Sequence, residues 1–305
     1  MKKTRIGNSD LIVSELALGC MSLGTSEKKA SEIIDHALHS GINYLDTADL
    51  YDKGGNEEIV GKALKGKRDQ VVLATKVGNH LKNDGSWFWD PSKDYIKGQV
   101  KESLKRLKTD YIDLYQLHGG TIDDPIDETI EAFEELKKEG LIRYYGISSI
   151  RPNVIREYVK KSSIVSVMMQ YSLLDRRPEE EMLDFLYNNN VSVVARGPVA
   201  KGMLSNQGLA KVEEKGRKGY LDYSYDELVS ITTKLNEQTG EEETVSSLSL
   251  RYILQHPAVA SAVFGASSVN QLRNNILAYN EKELSEEKYK ALRLLTKPIT
   301  YKNHR

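Results

Sequence analysis

The chain holds one cysteine, Cys20, in 305 residues. A lone thiol excludes an internal disulfide and any cysteine-rich zinc site, and it fits a reducing compartment. Neither charge is in excess, since 43 Lys plus Arg face 44 Asp plus Glu for a formal net charge of -1. No overall field calls for nucleic acid or an anionic membrane. No apolar run approaches the roughly 20 residues of a membrane span, and the N-terminus does not resemble a signal peptide. The expectation is a cytoplasmic protein, a monomer or weak homo-oligomer, with neither nucleic-acid nor membrane partners.

Several chemistries are missing as well. No two glycines stand two apart, so the G-x-G-x-x-G dinucleotide fingerprint is absent. There is no Gly-Lys-Ser/Thr phosphate loop, no His-Glu-x-x-His helix and no Gly-x-Ser-x-Gly elbow. A nucleotide would have to bind by another device. Of six histidines only His36 and His39 have ligand spacing, and they lie on an expected surface helix without a carboxylate pattern. No metal site is expected.

What is present is a rhythm. Thr4-Arg5-Ile6 and Leu11-Ile12-Val13 flank the turn residues Gly7-Asn8-Ser9-Asp10, which predicts an opening hairpin. Strands are then expected at 16–19, 42–46, 71–76, 111–117, 142–148, 164–170, 191–195 and 259–264. Helices are expected between them, one capped by Ser26, one ending at Gly140 and one opened by Pro152. Helices at 226–238, 244–255, 269–278 and 285–295 belong to the last third, and residues 196–224 read as one long irregular loop. Eight strands, each followed by a helix, argue for a single (β/α)8 TIM barrel domain over 1–305, with an N-terminal hairpin and extra C-terminal helices. A doubly wound sheet is the rival.

Active sites of such barrels lie at the C-terminal ends of the strands. Asp46, Lys76 and His118 stand at those ends of the second, third and fourth strands, and Tyr51 follows Asp46 by five residues. Singly, each has an ordinary reading as a turn cap, a solvated lysine, a core histidine or one of 17 tyrosines. Together they suit proton donation to a carbonyl. An ammonium from Lys76 favours the phenolate of Tyr51, a carboxylate from Asp46 keeps a buried Lys76 charged, and His118 orients the substrate oxygen. No nucleophile or metal completes the set, so a hydride-donating cofactor is implied. A Schiff-base lyase using Lys76 is a competing reading, weakened by the carboxylate beside that lysine.

Residues 41–51 (GINYLDTADLY), 73–76 (LATK), 114–118 (LYQLH), 146–149 (GISS), 169–176 (MQYSLLDR) and 265–268 (GASS) together resemble the aldo-keto reductase family, of the type found in Bacillus. The likeness spans residues 4–280. It implies an NADP(H)-dependent oxidoreductase that reduces aldehydes or ketones, with Tyr51 as proton donor and Asp46, Lys76 and His118 completing the catalytic tetrad. An NADPH-binding regulatory module with little turnover is the alternative on the same barrel.

The resemblance also implies a cofactor groove. Gly19, Cys20 and Met21 match its first loop, Asp46 borders it, and Ser148, Ser149 and Gln170 match residues that hold the nicotinamide amide. Ser149 stands where the family usually has Asn. Arg196 replaces a tyrosine that stacks on the nicotinamide in many relatives, and Gly197, Pro198, Val199, Ala200, Lys201 and Gly202 would follow the pyrophosphate. Gly265, Ala266, Ser267 and Ser268 match the turn at the 2′-phosphate, while Gln271, Asn274 and Asn275 match positions around the adenine. Many relatives carry Lys or Arg in that turn, so NAD stays open beside NADP. Met21, Trp87 and Trp89, with Phe88, would wall an apolar pocket for a small carbonyl substrate, or else pack over the barrel rim.

Overall fold

The expected hairpin forms: β1 (Lys3–Arg5) pairs antiparallel with β2 (Ile12–Ser14). The computed structural model describes residues 1–82, 84–240, 243–280 and 283–305. Ile6, Leu11 and Val13 are buried against inward residues of the strands, among them Ala17, Tyr44, Val72 and Leu114. The hairpin therefore plugs one end of the fold. Its turn sits tightly, because a Cβ at Gly7 (φ 45°) would stand 2.2 Å from the Val165 carbonyl oxygen.

Beyond it the chain alternates. β3 (Leu16–Gly19) leads to α1 (Glu27–His39), whose first turn is capped by Ser26 accepting from the Lys29 amide. β4 (Tyr44–Asp46) and α2 (Gly55–Ala63) follow, then β5 (Val72–Val77). A short antiparallel pair, β6 (Asn79–Leu81) with β7 (Trp87–Trp89), precedes α3 (Lys93–Leu107). The second half runs β8 (Ile112–Leu117), α4 (Ile126–Lys138), β9 (Ile142–Ser148), α5 (Pro152–Lys161), β10 (Ser166–Gln170), α6 (Met182–Asn188) and β11 (Ser192–Arg196). After β11 come α7 (Gly208–Lys215), α8 (Tyr225–Glu237), α9 (Val245–Leu254), β12 (Val259–Gly265), α10 (Val269–Asn280) and α11 (Glu286–Leu295).

The order β10-β11-β12-β3-β4-β5-β8-β9 closes on itself, all in parallel. This is the (β/α)8 barrel. The strands are buried on both faces, as β5 and β8 are along their whole lengths, which is why they read as nearly continuous apolar runs. Outward residues such as Leu45, Leu73 and Val193 meet Ile33, Val60 and Phe133 of the helices in the main core. Each such side chain, once buried, contributes about 1.5–3 kcal/mol. Gly140 closes α4 with φ 75°, the left-handed cap the sequence suggested.

Three expectations need correction. Residues 196–224 are not wholly irregular, because α7 forms within them after a 3-10 turn at Ala200–Gly202. Trp87-Phe88-Trp89 is a strand of a two-stranded sheet and not a loop. The helix expected between the strands at 164–170 and 191–195 is a 3-10 turn, Arg177–Glu180, followed by the short α6. Among the described residues no helix is long and apolar enough to cross a membrane.

α2 rests on the end of α3 through Gly61, where an added Cβ would lie 2.5 Å from the Leu107 carbonyl oxygen and 2.6 Å from that of Arg106. Those obstacles are backbone and cannot swing aside. Gly61→Ala should therefore cost about 1–3 kcal/mol of stability in urea unfolding, and an unchanged midpoint would show that the two helices do not meet here.

Candidate active site

Alternation along the strands brings the polar residues together. On β4, β5 and β8 the inward residues climb from Tyr44, Ala74 and Leu114 to Asp46, Lys76 and Gln116. The apolar filling of the barrel thus gives way to charge at its C-terminal end. Lys76 Nζ lies 2.5 Å from Asp46 Oδ1 and donates to the Thr47 carbonyl oxygen at 2.7 Å and to Tyr51 Oη at 3.5 Å. Gln116 Nε2 donates to the other carboxylate oxygen of Asp46 at 3.3 Å. Both charged groups are buried, with Lys76 1% and Asp46 4% exposed.

Taking two such charges out of water costs several kcal/mol each, so the pair persists only because its partners are in place. Burial works against the charge on Lys76, but the Asp46 carboxylate, with a smaller contribution from Tyr51, overcomes it and raises Lys76 above its ordinary range. A lysine held protonated in this way offers no free amine. The Schiff-base reading therefore loses its nucleophile.

Tyr51 is half-buried and opens a 3-10 turn in which Asp52 (φ 48°) and Lys53 (φ 55°) take the left-handed conformation ahead of Gly54 (φ 90°). Non-glycine residues pay about 1–2 kcal/mol each for that shape, and the surrounding stitches hold it. The Thr47 amide donates to the Ala74 carbonyl oxygen and the Asp49 amide to that of Lys76. Thr47 Oγ1 donates to Asn56 Oδ1, and Asn56 Nδ2 in turn donates to the Cys20 carbonyl oxygen. The phenol is thereby set at a fixed reach from Lys76.

His118 follows the end of β8, its amide bonded to the Val77 carbonyl oxygen at 2.7 Å. Its ring meets the Tyr51 ring edge-on, with centroids 6.0 Å apart and planes at 85°. Burial first, then the charges of Lys76 and Arg196, push its imidazole down to about 3. His118 is neutral at physiological pH and keeps one ring N–H to donate. The four residues expected to meet do so.

A cavity of about 1070 Å3 runs from this cluster along the C-terminal end of the barrel, large beside ordinary pockets of about 300–1,000 Å3. Asp46, Tyr51, Gly19 and Met21 border one part of it. Arg196, Gly197, Pro198, Val199, Lys201 and Gly202 form a strap along its side, and Gly265, Ser267, Gln271, Asn274 and Asn275 line another part, with Lys211 and Lys215 of α7 also in its wall. Gly19 and Gly265 face each other in the β3–β12 register, so no side chain rises from that pair. An elongated polar molecule with a flat end fits such a trough, and a nicotinamide dinucleotide has that shape and polarity.

Other expected residues stand apart from the cavity wall. Cys20, Ala200 and Ala266 are buried, and burial pushes the Cys20 thiol well up, which leaves it little thiolate character. Ser268 Oγ accepts from the Gln271 amide. Ser148 is half-buried at the end of β9, and Ser149 Oγ accepts from the Arg151 amide. Gln170 is held on both sides, its Oε1 accepting from Arg196 Nη1 at 3.0 Å and its Nε2 donating to Tyr220 Oη at 3.0 Å. Trp87 is 54% exposed. Trp89 packs on Gly78 and Gly119 and donates its indole N–H to Asp124, so it covers the rim next to His118.

Sequence reasoning missed Gln116, Tyr220 and two lysines of α7. Gln116 left a readable signal, because it stands two residues before His118 on a strand and so shares its face. Tyr220, Lys211 and Lys215 left none, since only the folded path of the 196–224 segment brings the two lysines to the cavity and Tyr220 to Gln170.

The sequence profile described as Aldo/keto reductase family matches residues 15–297. The chain is 60% identical over 308 residues, covering all of both proteins, to the uncharacterized oxidoreductase YqkF of Bacillus subtilis. It is 31% identical to the NADH-specific methylglyoxal reductase of Escherichia coli, over 92% of this chain and 94% of that one. The holo form of the aldo-keto reductase AKR11C1 from Bacillus halodurans superposes with a TM-score of 0.93 at 58% identity, covering 100% of this chain and 99% of that chain.

The neutrality of His118 has a measurable consequence. The unfolded chain takes up a proton on this histidine near pH 6.5, whereas the native protein does so only near 3. Between those values the unfolded state binds more protons, so this group's stabilising share is full above about 6.5 and lost as pH falls toward 3. The imidazole resonances of His118 should therefore stay flat from pH 9 to 5 in NMR titration; a midpoint near 6.5 would contradict the burial described.

Proposed function

The chain belongs to the aldo/keto reductase family, and on that footing we propose that it reduces aldehydes or ketones to alcohols with NADPH, Tyr51 delivering the proton. The observation that carries this reading is the chain of contacts from Asp46 through Lys76 Nζ to Tyr51 Oη. Bound NADPH supplies the hydride for the carbonyl carbon. Tyr51 Oη gives its proton to the carbonyl oxygen, and the ammonium of Lys76, 3.5 Å away, stabilises the phenolate left behind. Asp46 keeps Lys76 charged through the step, and Gln116 and the Thr47 carbonyl oxygen hold that pair in position.

Neutral His118, beside the Tyr51 ring, donates a hydrogen bond to the substrate oxygen and fixes its direction. Hydride and proton together convert the carbonyl to the alcohol, so the balance closes without a nucleophile or metal. Ser148, Ser149 and Gln170, beside the cavity, would hold the nicotinamide amide, and Arg196, which lines it and is bonded to Gln170, would adjoin them. Of the remaining residues that the resemblance assigns to the cofactor, Gly197, Pro198, Val199, Lys201 and Gly202 line the cavity and would hold the pyrophosphate, and Gly265, Ser267, Gln271, Asn274 and Asn275 line it and would hold the adenosine end. Met21, Trp87 and Trp89 border the substrate.

NADPH is the expected donor and NADH the alternative, a choice sharpened by the NADH-specific name of the Escherichia coli relative. Tyr51→Phe should lower turnover of a reactive aldehyde about 10²–10⁴-fold and leave NADPH affinity within about threefold. Near-normal turnover of the variant would end the assignment of Tyr51.

A further inference from the structure

The cavity is unlike the protein as a whole in its charge. Among the described residues its wall carries four cationic side chains, Arg196, Lys201, Lys211 and Lys215, against one carboxylate, Asp46, which is already paired with Lys76. The chain overall is close to neutral at -1. A lined trough with this imbalance attracts an anion, and its low-dielectric walls strengthen the field.

The positive side chains are not distributed evenly. The turn at Gly265 to Ser268 and the α10 residues Gln271, Asn274 and Asn275 are neutral. The lysines come instead from α7, within the segment after β11. Gly202 leaves room for Lys211, because a Cβ there would stand 3.2 Å from the lysine's Cγ. Lys215 Nζ reaches back to the Lys201 carbonyl oxygen at 3.4 Å, so helix and strap are tied by the lysine itself. Among the described residues Lys211 is paired with Glu214, at 2.6 Å on the same helix, and that glutamate lies 3.9 Å from Lys215. Two ammoniums share one solvent-facing carboxylate. An exposed pair of this kind is worth about 1 kcal/mol at most and is readily exchanged for a better anion.

We propose that Lys211 and Lys215 of α7 supply the countercharge for the phosphate groups of the dinucleotide, replacing cations that the turn at Gly265 to Ser268 does not carry. The inference rests on the nicotinamide reading above. It makes the helix within the long segment after β11 a determinant of cofactor affinity. The phosphates concerned are either the diphosphate bridge, present in NADPH and NADH alike, or the 2′-phosphate of NADPH alone. Charge-assisted contacts from lysine serve both.

The test is a fluorescence titration of the full-length protein with NADPH and with NADH at two ionic strengths. Variants are Lys211→Gln/Lys215→Gln, the charge-retaining Lys211→Arg/Lys215→Arg, and Lys218→Gln, an exposed lysine of the same segment away from the cavity. The glutamine pair should raise the dissociation constant for NADPH roughly tenfold or more and flatten its salt dependence; the arginine pair and Lys218→Gln should stay within about threefold. Equal weakening toward NADH assigns the lysines to the bridge, and weakening toward NADPH alone assigns them to the 2′-phosphate. Wild-type affinity and salt response in the glutamine pair, or an equal loss in Lys218→Gln, overturns the inference while the nicotinamide reading stands. A wild-type protein that binds neither dinucleotide overturns both.

Discussion

The buried ion pair of Lys76 and Asp46 is the constraint on which the site depends. Two charges at the top of an apolar barrel are costly unless every acceptor and donor around them is supplied. Here the supply comes from three places: the Thr47 carbonyl oxygen on the loop, Gln116 on the neighbouring strand and Tyr51 on the following turn. The pair therefore joins β4, β5, β8 and the Tyr51 turn into one unit. Its cost is offset by position, since Asp46 and the Thr47 carbonyl oxygen fix the ammonium within 3.5 Å of the phenol.

Around that unit the barrel divides its labour. The hairpin fills one end with Ile6, Leu11 and Val13, and the inward layer above it is apolar up to Ala74 and Leu114. On β4, β5 and β8 the last inward residues, Asp46, Lys76 and Gln116, are polar. His118 stays neutral because the same burial and the same lysine charge that define the site disfavour a second cation. The long trough beside them is made by the strap after β11 and by the β12–α10 turn, so in the proposed reaction chemistry and cofactor recognition rest on different strands.

Most of the barrel was legible because period and punctuation agreed. Apolar runs of four to seven residues alternated with amphipathic stretches, and Ser26, Gly140 and Pro152 marked ends that the structure uses. Reading failed where local signals compete. The 196–224 segment holds Gly197, Gly202, Gly208, Gly216 and Gly219, which argue for a loop, yet α7 forms between Gly208 and Lys215 with Val212 buried beneath it. Packing overrode propensity there. Trp87-Phe88-Trp89 carries no alternation, so nothing in it announced the antiparallel pairing with Asn79–Leu81, the strand just before it.

By itself the sequence determined the order of strands and helices, which argued for a parallel barrel over a doubly wound sheet, and it placed Asp46, Lys76 and His118 at equivalent strand ends. Those follow from local periodicity and from the right-handed connection of parallel strands. Tertiary structure alone decided that Lys76 touches both Asp46 and Tyr51, that Gln116 completes the carboxylate's partners and that His118 is neutral. It alone brought Lys211 and Lys215 to the cavity wall. Distances, burial and the resulting charge states depend on side chains from strands far apart in sequence, and no local pattern encodes how closely those side chains approach.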